Sequence, residues 1–192
     1  MKLQGKTILF LGSSVTYGHA SNGISFADLM VEKCGINCIK EAVSGTTLAD
    51  INDASYVARL KKIDATTVRP DLFICQLSTN DASKKRNIDI ADVEPAIRFI
   101  LEYVKSTFNC PIVFYTGTYF ESEKYVAMIK LLYNLQNQYD FKILDLYNDQ
   151  EMLNVDKEKY KVYMQDPVHP TLLGYDEWWT PKFIEFCERL PE

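Results

Sequence analysis

Histidine is scarce in this 192-residue chain, which holds only His19 and His169. The second sits in Asp166-Pro167-Val168-His169-Pro170. A carboxylate three residues before the ring can fold back onto Nδ1–H. That contact selects the tautomer that leaves Nε2 free as a base, and it stabilises the imidazolium formed when the base takes a proton. Asp166 and His169 both precede prolines, so both backbones are biased towards extended conformations. Pro170 also suits the first position of a following helix. Alone, the pattern is more simply a helix start carrying a surface histidine.

A base needs a proton to take. The stretch ILFLGSSVTYG, Ile8 to Gly18, is an apolar run that stops at Gly12-Ser13-Ser14. A hydroxyl is a poor nucleophile until a base deprotonates it. A serine at a strand-to-helix turn lies near N–H groups that favour developing negative charge. The same turn suits a capping serine or a phosphate-holding loop, and nothing local chooses between Ser13 and Ser14. Gly45, in Ser44-Gly45-Thr46-Thr47, and Asn80, in Ser78-Thr79-Asn80-Asp81, add donors for a tetrahedral oxyanion. A glycine lets a backbone N–H approach closely, and an Asn amide supplies a second donor. Each reads singly as a turn or cap; together and in this order they are harder to dismiss.

These residues need a frame. Short apolar runs at Thr7–Leu11, Ile36–Ile39, Leu72–Leu77, Ile112–Tyr115 and Lys142–Leu146 read as strands buried on both faces. Between them, DVEPAIRFILEYVKSTF places Val93, Ile97, Ile100, Leu101, Val104 and Phe108 on one helical stripe. SEKYVAMIKLLYNLQNQY opens with Ser122 as a cap and Glu123 in its first turn. A last helix is expected from about Thr171 to Arg189. Alternating strands and helices predict an α/β fold with a parallel sheet and helices on both faces. Ligands then bind beyond the carboxyl ends of the strands, where the residues above stand.

Composition narrows the partners. The chain reads as one domain over residues 1–192, with 47% hydrophobic and 24% charged residues. A formal charge of −5 argues against a nucleic-acid partner, and Lys84-Lys85-Arg86 reads as a solvated loop. No apolar run approaches the roughly 20 residues that span a bilayer. The apolar start is too short for a signal peptide and reads as the first strand. Five cysteines, mostly in apolar settings, suggest reduced thiols in a cytoplasmic protein. Cys34 and Cys38 lack the spacing of a redox or zinc pair.

In the order of its blocks the sequence resembles the SGNH or GDSL-type esterases and lipases. Gly12-Ser13-Ser14-Val15, Ser44-Gly45, Ser78-Thr79-Asn80-Asp81 and Asp166-Pro167-Val168-His169 look like the family's four motifs, and HPTLLGY like its usual continuation. The resemblance implies Ser14 as nucleophile, His169 as general base and then acid, and Asp166 as its orienter. It implies an oxyanion hole of the Ser14 and Gly45 N–H groups and the Asn80 amide. It further implies a three-layer α/β/α sandwich with a five-stranded, flavodoxin-like sheet, and ester hydrolysis through an acyl-enzyme without metal or cofactor. Two positions depart from the family pattern: Ser13 stands for an Asp and Ser78 for a Gly. Asp81 is kept, which suggests support for the active-site loops or a plain structural role.

Other readings remain. GSSVTYG as the anion turn of a phosphate or nucleotide binder lacks the Lys of a P-loop and leaves Asp166–His169 unexplained. Metal binding by His19, His169 and a carboxylate is a distant third. The loops Tyr17–Gly23, Thr46–Ser55, Asp81–Asp89 and Gly117–Glu121 hold no long apolar stretch. A small-molecule ester with a short acyl group is expected, such as the acetyl ester of a sugar or other small polar alcohol. Tyr119, Phe120, Trp178 and Trp179 suit either a sugar site or plain packing. Oligomeric state is not legible.

Overall fold

A computed structural model describes residues 1–191. The five apolar runs form five parallel strands: β1 (Thr7–Gly12), β2 (Asn37–Ala42), β3 (Leu72–Gln76), β4 (Ile112–Tyr115) and β5 (Lys142–Leu144). Their order is β2-β1-β3-β4-β5, the flavodoxin-like doubly wound arrangement. The register pairs Gly12 with Ala42 and Leu11 with Cys75. The carboxyl ends of the first three strands therefore finish side by side.

The longest helix, α4 (Ile90–Thr107), follows the predicted stripe and begins earlier than the motif suggested. Asp89 caps it, in a capping box with Asp92. Pro95 lies inside it, where the stripe of buried Val93, Ala96, Ile97, Ile100, Leu101 and Val104 holds the helix together in spite of the missing N–H. Ser122 caps α5 (Glu123–Leu135) as expected, accepting from Tyr125 N–H. The remaining helices are α1 (Ser14–Tyr17), α2 (Phe26–Cys34), α3 (Tyr56–Leu60), α6 (Gln150–Leu153), α7 (Lys157–Tyr163), α8 (Leu172–Gly174) and α9 (Thr180–Glu188).

Alternating residues of each strand feed two cores. Leu9, Leu11, Phe73, Cys75 and Phe114 pack with α3, α4 and α5 on one face. Ile8, Phe10, Ile74, Val113 and Tyr115 pack with α2 and α9 on the other. There Phe26 stacks on Phe183 at 3.8 Å between ring centroids, and Trp179 is wholly buried beside them.

Three expectations are corrected. β2 is half-exposed rather than buried on both faces, because it is an edge strand. The last helix is not continuous. Its chain passes from α8 through a π-helical stretch, Tyr175–Trp179, into α9. Pro170 does not open a helix either. It bridges Met164, and Thr171 caps α8 through Gly174 N–H. All five cysteines are free thiols, and Cys75, Cys110 and Cys187 are buried.

Candidate active site

Ser14 is the first residue of α1, directly beyond β1. Its Oγ lies 2.8 Å from His169 Nε2, across 155 residues of sequence. His169 Nδ1 lies 2.7 Å from Asp166 Oδ2, and the other carboxylate oxygen accepts from the N–H groups of Val168 (2.8 Å) and His169 (2.9 Å). This is the fold-back that the Asp-x-x-His spacing predicts. Gln165 N–H donates to His169 O at 2.9 Å and closes the loop. Burial pushes the Asp166 carboxyl up, but the hydrogen bonds from His169 and the two backbone N–H groups outweigh it, so its pKa lies below the ordinary value. An ionised Asp166 holds the proton on Nδ1 and leaves Nε2 to accept from the serine.

The structure separates the two serines. Ser13 is fully buried, and its N–H (2.9 Å) and hydroxyl (3.2 Å) both donate to Gln76 Oε1. Thr16 donates to the same oxygen at 2.9 Å and pairs with the Tyr115 hydroxyl at 2.7 Å. Ser13 thus anchors the turn, and Ser14 presents its hydroxyl to the imidazole. The anion-turn reading loses the amide and the hydroxyl of Ser13, both spent on Gln76. Gly12 is required here, since a Cβ would fall 1.7 Å from Thr16 Oγ1.

Gly45 lies beyond β2, the strand next to β1, with φ +79°, a conformation that favours glycine. Its loop is tied from three sides. Asn80 Nδ2 donates to Thr46 O at 2.8 Å, Asp81 accepts from the N–H groups of Leu48 (2.9 Å) and Ala49 (2.8 Å), and Arg86 donates to Gly45 O at 2.5 Å. Asn80 and the Gly45 loop are therefore joined. As the first residue of α1, Ser14 has an N–H with no partner within its helix. Burial raises the Asp81 pKa against the pull of its hydrogen bonds. Ser78 is fully buried, so its Cβ is accommodated.

Several contributors escape sequence reasoning. Arg86 belongs to a run read as solvated; Lys84 and Lys85 are exposed, but Arg86 is half-buried and holds the Gly45 carbonyl. Arg59, from α3, is only 7% exposed. It donates to Gly12 O (2.7 Å), Thr46 Oγ1 (3.1 Å) and Glu41 Oε1 (3.0 Å), clamping the serine turn to the glycine loop. Gln76 looks like any strand residue and α3 is too short for a helical period to emerge, so no local signal marks Gln76 or Arg59. His19 is exposed, with its ring 5.3 Å from that of His169. Among the described residues no three His, Cys, Asp or Glu side chains gather to hold a metal ion.

The arrangement can activate a hydroxyl and hold negative charge beside it, which suits acyl transfer. Comparison with known proteins bears on that chemistry. A model of the GDSL-like lipase/acylhydrolase family matches residues 10–177. Solved structures of similar fold include a lipase/acylhydrolase from Enterococcus faecalis, with a TM-score of 0.75, 19% identity and 95% of each chain covered. A carbohydrate acetylesterase family member from Sinorhizobium meliloti gives 0.68 and 15%, covering 96% of this chain and 100% of its own. The M. smegmatis aryl esterase gives 0.72 and 13%, covering 97% and 100%. Comparison with curated proteins gives no match. At such identities the structures establish the fold, whereas the family model spans most of the sequence and includes all four blocks. The chain belongs to the GDSL-like lipase/acylhydrolase family.

Proposed function

We propose that the chain is a single-domain serine esterase that cleaves short-acyl esters of a sugar or similar small polar alcohol through an acyl-enzyme. The observation that carries this reading is the continuous contact chain from Ser14 Oγ to His169 Nε2 (2.8 Å) and from His169 Nδ1 to Asp166 (2.7 Å). Ser14 attacks the ester carbonyl while His169 takes its proton. The oxyanion is held by the N–H groups of Ser14 and Gly45 and by the Asn80 amide. His169 then gives the proton to the departing alcohol, and water repeats the sequence on the acyl-enzyme. Asp166 holds the imidazole in the required tautomer throughout.

The chain's own groups account for every proton and charge in this scheme, so no metal or cofactor enters it. The polar loops around the serine favour a short acyl group, and two proteins of similar fold bear carbohydrate-esterase descriptions. Five free cysteines favour a reducing, cytoplasmic setting. No described helix is long and apolar enough to cross a membrane.

The test is hydrolysis of p-nitrophenyl acetate by the purified protein, with Ser14→Ala and Ser13→Ala in parallel. Loss of a Ser nucleophile should cut kcat by roughly 10³-fold or more while the circular-dichroism spectrum is kept. Ser13→Ala removes one hydrogen bond and should leave most of the activity. A protein inactive on acetyl, butyryl and octanoyl esters alike would overturn the esterase reading, and a preference for octanoyl would overturn the short-acyl one.

A further inference from the structure

Asp166 and His169 ride on a loop that is closed on itself. Tyr163, the last residue of α7, offers its carbonyl to Thr171 N–H at 2.8 Å and to the Thr171 hydroxyl at 3.2 Å. Gly174 packs so tightly on the same carbonyl that a Cβ there would fall 2.1 Å from it. Between these ends Met164 bridges Pro170, and Gln165 N–H donates to His169 O. These bonds shape the Asp166–His169 pair, but none of them sets where the ring stands relative to Ser14.

The nucleophile's helix has an open bond of its own. α1 has four residues, and the N–H groups of Tyr17 and Gly18 at its end reach back to Ser13 O and Ser14 O. Val15 O is left without a partner inside its helix. The Tyr175 hydroxyl donates to it at 2.7 Å, within the core and across 160 residues of sequence. Tyr175 is wholly buried and opens the π-helical stretch Tyr175–Trp179. Single π turns inside helices are frequent at functional sites. Burial raises the Tyr175 pKa, so the hydroxyl keeps its proton and remains a donor. Among the described residues, the segment 163–175 makes only two hydrogen bonds to residues 12–19. One is His169 with Ser14, and the other is Tyr175 with Val15.

We infer that Tyr175 is a positioning residue for the reaction: by holding Val15 O, its hydroxyl fixes the Asp166–His169 loop within hydrogen-bond reach of Ser14. The inference rests on the esterase reading for the use made of that contact. Reacting groups displaced by about 1 Å can lose about 10²-fold in rate. Tyr175→Phe keeps the ring against Phe26 and Trp179 and takes away only the donor. On p-nitrophenyl acetate its kcat should fall by about 10- to 100-fold, with KM changed by less than about twofold. Tyr147→Phe is the control, since it removes a like bond, to Phe120 O at 2.8 Å, in the core on the other face of the sheet. It should leave kcat within about twofold of the parent. Placing 4-aminophenylalanine at position 175 returns an N–H donor to Val15 O and should recover most of the loss.

A second readout needs no turnover. The chain has two histidines, and the nitrogen NMR shift of His169 Nε2 reports its contact with Ser14. Ser14→Ala should change that shift in the parent and leave it unchanged in Tyr175→Phe, where the contact is already lost. Should the phenylalanine chain not fold, 4-fluorophenylalanine fills the hydroxyl's place without its proton and is read the same way. A hydroxyl that serves stability alone would lower Tm in both tyrosine variants and spare kcat in both, which would overturn the inference. So would an equal response of His169 to Ser14→Ala with and without the Tyr175 hydroxyl. A parent inactive on p-nitrophenyl acetate strikes the esterase reading instead, and leaves the NMR comparison readable.

Discussion

Ser14, His169 and Asp166 form a unit in which each contact sets the next. Asp166→Asn keeps the shape of the carboxylate but places an amide where Nδ1–H needs an acceptor, favouring the wrong tautomer. The expected result is a fall in kcat of about 10²–10⁴-fold with KM nearly unchanged, measured on p-nitrophenyl acetate. Asp81 behaves differently. Its carboxyl is buried, its pKa is raised, and it holds Leu48 and Ala49 on the Gly45 loop. A raised folded-state pKa means that the folded protein binds the proton more tightly than the unfolded chain. The contribution of Asp81 to stability is therefore largest below the ordinary Asp value and falls as pH rises towards the folded value. Urea midpoints of the parent and of Asp81→Asn, measured across that window, should show the parent's advantage shrinking as pH increases. At this scale the sequence was generous: Asp166-x-x-His169 carries its own geometry. It did not disclose Ser13's partner, because Gln76 lies 63 residues away and looks like any strand residue.

At the scale of elements, the site is held by pieces that carry no reacting group. α3 is a five-residue helix whose Arg59 reaches the end of β1, Glu41 on β2 and Thr46 on the glycine loop. Arg59→Met takes one donor from Gly12 O and one from the Thr46 hydroxyl, strips Glu41 of its ion-pair partner and loosens two loops at once. It should cost about 2–3 kcal/mol in urea unfolding, as losing hydrogen bonds from a charged group does. kcat should fall with it, and Arg59→Lys should recover only part, since an ammonium cannot reproduce the planar fork. Strand positions were legible because buried parallel strands are dense in apolar residues, and α4 and α5 because their stripes are long. Short helices such as α3, α6 and α7 offer too few turns for a period to emerge. The break at Tyr175–Trp179 was hidden for another reason. Tertiary packing of Tyr175 and Trp179 against Phe26 sets that stretch, and the sequence alone reads as one amphipathic helix.

For the whole molecule, the sheet divides two cores. The one beneath α2 and α9 gathers Phe10, Phe26, Tyr115, Tyr175, Trp179 and Phe183 around a single ring stack. Phe26 touches most of that group, so Phe26→Ala should cost about 3–5 kcal/mol, read as a fall in Tm of roughly 10 °C. The α/β class and the strand count were legible from periodicity, while the flavodoxin-like order came with the family resemblance. Which aromatics would face solvent was not legible. Tyr119 and Trp178 line a cavity while Trp179 is wholly buried and Phe120 packs against the core, although all four are equally apolar in sequence.

The 155 residues between Ser14 and His169 also order events in time. A ribosome adding about 5–20 residues per second needs roughly 8–30 s to travel from one to the other. During that interval the nascent chain already carries its serine hydroxyl, and the sheet that must present it is emerging strand by strand. The imidazole that would awaken the hydroxyl does not yet exist. On the proposed mechanism, synthesis itself thus acts as a safety catch: a chain stalled before His169 exposes an inert alcohol.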